Sequence, residues 1–558
     1  MNKRKIITLS IITSISLHAA DVPNIGDVLK QAEPPKQKKK QKVELPKFES
    51  EYEKSLLEFN DTKRILITTI EIIGNDSLSS DKLKEISSLY ENKELSFKDM
   101  QEISSLITKI YRQEGYFVAR AYIPKQDILS QEGVLKINVV EGNYGKFHLE
   151  NDSLVKDEIV QANLDDIKDK NIVSSQTLER AMLIINDTPG VRVSKAEVRP
   201  GQELGTSDFI IDVQATEPYN GYIIADNYGS QYTGKHRIMA GVDINSPFKI
   251  GDKISAFAMT SEKTGLLSGK VGYEFPIHPN GTRGEISYSK TTYELGSTYK
   301  NLNALGSSDS IAAKVSYPVI RTQLESLNSY AQFSYNTMKD EIQSIGSTVK
   351  KDSYALVFGA DYTKDELLFN KNSQTRVSLS LSTGRLSFQD SIDKETDKAG
   401  ANTQGKFSKI NLELGKDIEL LPTLSWKNSL QAQYAFGNKN LDGSQDLSLG
   451  GINGVKFYPD GEESAENGYL FNTELLYTLP SFQAINSRVS VFYDIGRVFI
   501  SDNFSSEDSR TLQDFGVGYY GSYKEFFLNA HLAYNIAQEV TSEDSYGSRL
   551  MFQAGWVF

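Results

Sequence analysis

Residues 526–536 read FFLNAHLAYNI, and their alternation decides the fold. Phe526, Leu528, Ala530, Leu532, Tyr534 and Ile536 fall on one face, and Phe527, Asn529, His531, Ala533 and Asn535 on the other. A period of two belongs to a strand, whose successive side chains point to opposite faces. A soluble sandwich strand alternates in the same way, so one strand decides little. Repetition decides more. After Pro218 the helical signals stop, and residues 218–558 carry short alternating runs, rich in Tyr and Phe, between clusters of Gly, Asn, Asp and Ser. Such a series favours a barrel with lipid outside and polar groups inside. At roughly 20 residues per strand and loop, the segment accommodates about 16 strands, enough for a lumen wider than side chains can fill. The last run, SRLMFQAGWVF (548–558), again puts Leu550, Phe552, Ala554, Trp556 and Phe558 on one face.

The opening twenty residues, MNKRKIITLSIITSISLHAA, place Lys3, Arg4 and Lys5 ahead of an apolar run from Ile6 to Leu17, with small residues at Ala19 and Ala20. That order reads as a secretory signal peptide, too short to span a bilayer as a helix. No other long apolar run follows, which excludes a helical membrane protein. The mean hydropathy of −0.40 is compatible with a barrel, where only alternate residues face lipid. There is no cysteine in 558 residues, which suits a Gram-negative envelope better than a disulfide-stapled secreted domain. With five scattered histidines and no Cys, little is left for a metal site, and no phosphate loop or nucleophile elbow stands out. No catalytic residues, metal or cofactor are expected. The net charge of −12 argues against nucleic acid as a partner.

Between signal peptide and barrel, the pattern repeats. Residues 24–33 fit a short helix with Asn24 as N-cap and Ile25, Val28, Leu29 and Ala32 on one stripe, stopped by Pro34 and Pro35. The Lys-rich tract from Lys36 to Lys47 reads as an extended, solvated linker. From Ile65 the β-branched strand RILITTIEIIGN leads into two helices and two strands. The second helix carries Met100, Ile103, Ile107 and Ile110 on one face and ends at Gly115. The same β-α-α-β-β order recurs from NYGKFHLEN to Glu217. Two consecutive copies of one small α+β unit point to a modular binding arm, although pattern alone also fits paired sandwich folds without a recognition role.

YRQEGYFVARAYIPKQ (111–126) and VLKINVVEG (134–142) resemble the first POTRA domain of the two-partner secretion outer-membrane transporters, the TpsB type of haemolysin secretion/activation proteins. LERAMLIINDTPGVRVSKAEVRPGQELGTSDFIIDV (178–213) resembles their second POTRA domain, and NGYIIADNYGSQYTG (220–234) their barrel entry. NIGDVLKQAEPP (24–35) is similar to the helix that plugs the barrel, and the ending with Trp556 and Phe558 to the targeting signal of outer-membrane barrels. The resemblance covers nearly the whole chain, in the family's order. It implies a signal peptide at 1–20, a plug helix and basic/Pro linker at 21–64, POTRA 1 at 65–142 and POTRA 2 at 143–217. A membrane β-barrel of about 16 antiparallel strands would then occupy 218–558.

Within that frame GGINGVKFYPDGEESAENGY (450–469) resembles the family's sixth extracellular loop, which folds back into the barrel and carries a Val-Arg-(small)-aromatic motif. Here Gly450, Gly451 and Gly454 precede Val455, Lys456, Phe457 and Tyr458, so lysine replaces the usual arginine and Phe457 the usual small residue. The partner motif matches VSVFYDIGRVF (489–499). Alternation turns Val489, Val491, Tyr493 and Ile495 outward and Phe492, Asp494 and Gly496 into the lumen. Loop chemistry alone would suggest a wet surface loop; the resemblance implies a tether with Lys456 paired to Asp494. Lysine is a point charge where arginine offers a planar fork. In a hydrated lumen such a pair is worth about 1 kcal/mol, which would make the tether easier to release than an arginine version.

The resemblance implies an outer-membrane pore, its N-terminal domains in the periplasm, that carries one dedicated exoprotein to the cell surface without ATP. The partners would be a TpsA-type, β-helical client, the outer-membrane lipid, and the barrel assembly machinery for its own insertion. The competing reading is a BamA-like assembly factor, against which the count of only two POTRA modules speaks. A passive porin is a third.

Overall fold

The computed structural model describes residues 22–35, 45–46, 49–50, 63–168, 172–502, 509–542 and 547–558. The expected signal peptide and most of the basic tract lie outside them. Among the described residues, sixteen strands running from Tyr219–Asp226 to Ser548–Val557 pair antiparallel with their neighbours and close into a barrel. The closing ladder joins Tyr222 to Val557 and Asp226 to Gln553. Closure pairs the first strand with the last and leaves no open sheet edge, as a bilayer requires. In the strand Phe526–Asn535, Phe526, Leu528 and Tyr534 are exposed on the outer wall, whereas His531 and Ala533 are buried on the lumenal side. Ile311, Val315, Phe333, Leu356 and Phe358 continue the apolar outer belt, which in a bilayer meets acyl chains rather than water.

A seven-residue helix, Ile25–Gln31, lies inside the barrel. The Asn24 side chain accepts the Gly26 N–H at 2.8 Å and the Asp27 carboxylate accepts the Asn24 N–H at 3.1 Å, a reciprocal cap. A helix this short does not persist alone in water, so packing holds it. Ile25, Val28 and Ala32 are buried against Tyr232, Met239, Met259 and Tyr293 of the lumenal wall. Asn24 caps the helix as the sequence predicts, and its last turn opens at Ala32, short of the expected end at residue 33 and before Pro34 and Pro35.

Two α+β units precede the barrel. In the first, the helices Ser80–Ser87 and Phe97–Gln113 bury Leu83, Met100, Ile103 and Ile107 against Leu135 and Ile137 of the sheet. Tyr111, fully buried, completes the stripe that Ile110 only flanks. Ser96 and Asp99 close a capping box on the second helix, and the Ser96 amide and hydroxyl hold the Asp99 carboxyl below its usual range. The single strand expected from RILITTIEIIGN is instead two. Arg64–Ile67 pairs with Lys93–Ser96, while Thr69–Ile73 runs parallel to Val134–Val140. The Thr68 amide leaves the ladder for the Gly133 carbonyl, at 2.9 Å, and this lets the two halves serve different sheets. The second unit packs the helices Asp157–Asp165 and Ser175–Asp187 on the strands Asn143–Asp152, Arg192–Pro200 and Thr206–Gln214, around Leu178, Phe209 and Ile211.

That second unit is fastened to the barrel mouth. Arg321 grips Asp187 with two nitrogens, at 2.6 and 2.9 Å, and Arg180 donates to the Pro318 carbonyl at 2.6 Å. A cavity of about 810 Å³ opens between this unit and the adjoining barrel strands, bordered by Ile184, Asp187, His278, Arg283 and Tyr330.

Candidate functional site: the tether loop and the lumen wall

The loop between the strands Leu424–Ala435 and Asn467–Thr478 turns into the barrel, and its tip is buried there. Val455, Phe457 and Tyr458 pack with Leu449, Phe492, Leu512 and Met551. The turn depends on backbone approaches that exclude side chains. Gly451 has φ of +89°, and a Cβ there would collide with the Asp460 carboxylate at 1.6 Å. Gly450 and Gly454 sit within the same reversal, against the Pro459 and Leu449 carbonyls. On the wall, Gly496 leaves space for the Leu449 side chain, which a Cβ would meet at 2.7 Å.

Lys456 Nζ lies 2.8 Å from Asp494 Oδ2. The ammonium also sits over the Phe492 ring, 4.4 Å from its centroid, a cation–π placement. Asn472 donates to the other Asp494 oxygen at 2.8 Å and to the Gly454 carbonyl at 2.8 Å, so it ties loop to wall as well. The Tyr458 hydroxyl meets Asn535 at 3.0 Å and the Gln538 carbonyl at 2.5 Å. Its ring stands edge-on to Phe457 at 5.2 Å. The large residue in place of the usual small one therefore fills a slot between loop and wall.

Two features differ from the sequence reading. First, the ion pair is not in water. The Asp494 side chain is 0% exposed and that of Lys456 11%, so the hydrated-lumen figure does not apply. Removing one member of a buried, hydrogen-bonded pair costs about 3–5 kcal/mol, because the other is left uncompensated. Second, the wall presents two acids. Asp514 stands directly across the ladder from Asp494 and accepts the Phe457 N–H, while its other carboxylate oxygen is buried without a hydrogen-bond partner. One ammonium thus faces two carboxylates. An arginine fork could bond both, so Lys456→Arg is expected to keep secretion and lengthen the closed intervals of single pores in planar bilayers. Shorter closed intervals would contradict this account of the second acid.

A further anchor escaped sequence reasoning. Glu462, fully buried, accepts from Arg510 Nη2 at 2.6 Å, the Thr541 amide at 2.8 Å and hydroxyl at 3.1 Å, and the Ser542 amide at 3.2 Å and hydroxyl at 2.5 Å. The available signal was alternation in SRTLQDFGVGYY, which puts Arg510, Leu512 and Asp514 on one face of a strand. A charged stripe on a lumenal face invites a loop partner.

At the chain end, Trp556 and Phe558 lie on the outer wall beside the seam, their rings 4.4 Å apart. The Phe558 amide and carbonyl both bond Gly221, at 2.9 and 2.8 Å. These residues are remote from the loop and belong to closure of the barrel.

The sequence profile described as haemolysin secretion/activation protein ShlB/FhaC/HecB matches residues 205–521, more than half of the chain. That of the POTRA domain, ShlB-type, matches residues 65–142. The heme/hemopexin transporter protein HuxB of Haemophilus influenzae (strain 86-028NP) is 27% identical over 489 residues, covering 86% of this chain and 85% of that protein. The hemolysin transporter protein ShlB of Serratia marcescens is 23% identical over 426 residues, 73% of this chain and 71% of that one. Among solved structures, CdiB from Escherichia coli superposes with a TM-score of 0.72 at 18% identity, over 91% of this chain and 93% of that one. BamA from Haemophilus ducreyi lacking POTRA domains 1–3 gives 0.50 at 14% identity, over 88% and 100%; both likenesses speak to fold. Taken with the barrel and its paired modules, the profile match shows that the chain belongs to the ShlB/FhaC/HecB family of haemolysin secretion/activation proteins.

Proposed function

We propose that this outer-membrane transporter secretes one dedicated exoprotein, held at rest by a lumenal helix and a tether loop that must both leave the pore path. The observation that carries the reading is the double occupancy of the lumen. Ile25–Gln31 is packed on one part of the wall and residues 450–458 are locked to another, each held by apolar packing and by a few polar contacts, Thr233 and Arg237 on the helix and Asp494 on the loop. In this reading the chain divides at 64, 142 and 217 into plug segment, POTRA 1, POTRA 2 and barrel. The POTRA modules bind an extended client, adding its backbone to an exposed sheet edge. Relatives are named for heme/hemopexin and hemolysin transport, which favours a haemolysin-like or haem-acquiring exoprotein of the β-helical TpsA type. Folding of the client outside gives the transfer its direction without ATP. The protein acts as a transporter rather than an enzyme. Lipid surrounds the belt, and the aromatic end with Trp556 and Phe558 is what the barrel assembly machinery reads.

Depletion tests this against the assembly-factor alternative. Loss of one surface or secreted exoprotein, with outer-membrane porins at normal levels, is the expected result. General loss of outer-membrane barrels would overturn it.

A further inference from the structure

Arg237 is a buried side chain that the tether account does not use. It lies on the second barrel strand, Arg237–Asn245, with 8% of its side chain exposed. Nε and Nη2 fork onto Asp226 at 2.9 and 3.3 Å. Nη1 donates at 3.0 Å to the carbonyl of Gln31, the last residue of the lumenal helix. The same nitrogen lies 3.5 Å from Asp460 Oδ2, on the tether loop just beyond Tyr458. One guanidinium therefore touches the helix, the loop and the first barrel strand. Asp226, fully buried, is also the residue at which the closing ladder ends, opposite Gln553.

The neighbours reinforce the junction. The Thr233 hydroxyl donates to the Gln31 side-chain oxygen at 2.7 Å, and the Tyr232 hydroxyl reaches the Asp460 carbonyl at 3.4 Å. The stretch from Asp226 to Arg237 thus holds helix and loop together, whereas Lys456 and Asp494 hold the loop alone. Charge explains why the parts depend on one another. Asp226 and Asp460 share Arg237 in a poorly hydrated site, with Arg549 as a further positive charge near Asp460, so withdrawing an arm of the guanidinium junction leaves the others imperfectly compensated. Arginine suits the task because its five donors lie in a fixed plane and it stays charged when buried.

We infer that Arg237 is a positioning residue that interlocks the lumenal helix with the tether loop, so that release of either loosens the other. The inference rests on the reading of both elements as movable gates. Its readout, however, is the position of each element with no client present, so its failure would leave the secretion reading standing.

The absence of native cysteine makes a direct test possible. In the full-length protein in lipid, Ala32→Cys reports the helix and Val455→Cys the loop, through labelling by a small hydrophilic maleimide. Arg237→Ala is expected to raise the labelling rate at both positions, by about tenfold or more, as for loss of a charge-assisted contact. Asp460→Asn alters the loop arm alone, and is expected to raise labelling at position 32 as well. Being on a loop, it serves if Arg237→Ala does not fold. Labelling at position 32 that stays at the parent rate in Asp460→Asn would overturn the interlock. So would a rise at only one reporter in Arg237→Ala.

Discussion

Lys456→Ala is expected to reduce client secretion by about tenfold or more while the barrel still inserts, and to be worse than Asp494→Ala. The ordering follows from the second acid. Without Lys456, Asp494 and Asp514 stand as cross-strand partners in a dry site, and neither keeps the ammonium that compensates them. Without Asp494, the wall still carries Asp514, the residue opposite that position, whose second oxygen has no hydrogen-bond partner. Both variants impair secretion, since each unties the loop from its resting position. Secretion is measured as exoprotein in the medium or on the surface. Insertion is checked by heat-modifiable migration of the folded barrel. Normal secretion in both variants would show that the pair has no part in transport. Equal losses would remove Asp514 from the account.

The next largest effect is expected at Glu462. Its carboxylate takes five hydrogen bonds, from Arg510, Thr541 and Ser542. Hydrogen bonds to charged groups contribute about 1.5–3 kcal/mol each, and Arg510 would keep only Glu463, 3.2 Å from its Nη1, as an acid partner. Glu462→Ala should therefore detach the outer end of the loop from the last two hairpins, which appears as frequent open events in planar bilayers. Glu462→Gln keeps the shape but not the charge, and should fall between alanine and parent. An alanine variant with the parent's open probability would mean that the tip contacts alone hold the loop.

The two predictions differ in how far they could be anticipated. Alternation alone places Asp494 in the lumen, and the family resemblance pairs Lys456 with it. The burial of the pair was not legible, because periodicity reports which face a side chain takes and not how much water that face retains. Asp514 and Arg510 lay on a strand with the same period, yet nothing local marked the loop residues that would meet them. In the first module, RILITTIEIIGN looked like one strand because β-branched residues continue through it. The break at Thr68 is made by a carbonyl 65 positions away, at Gly133.

Alone, the amino-acid sequence determined the barrel, the paired α+β modules and the capped N-terminal helix, because those depend on periods of two and of 3.6 and on capping chemistry, all written in near neighbours. The tertiary structure decided which charges meet. Lys456 and Asp494 are 38 positions apart, Glu462 and Ser542 80, and Arg237 and Gln31 206. Such partners are chosen by where closure of the cylinder brings the inward faces and by how deeply the loop and helix enter it. Only there does desolvation turn ordinary polar contacts into the fastenings of a gate.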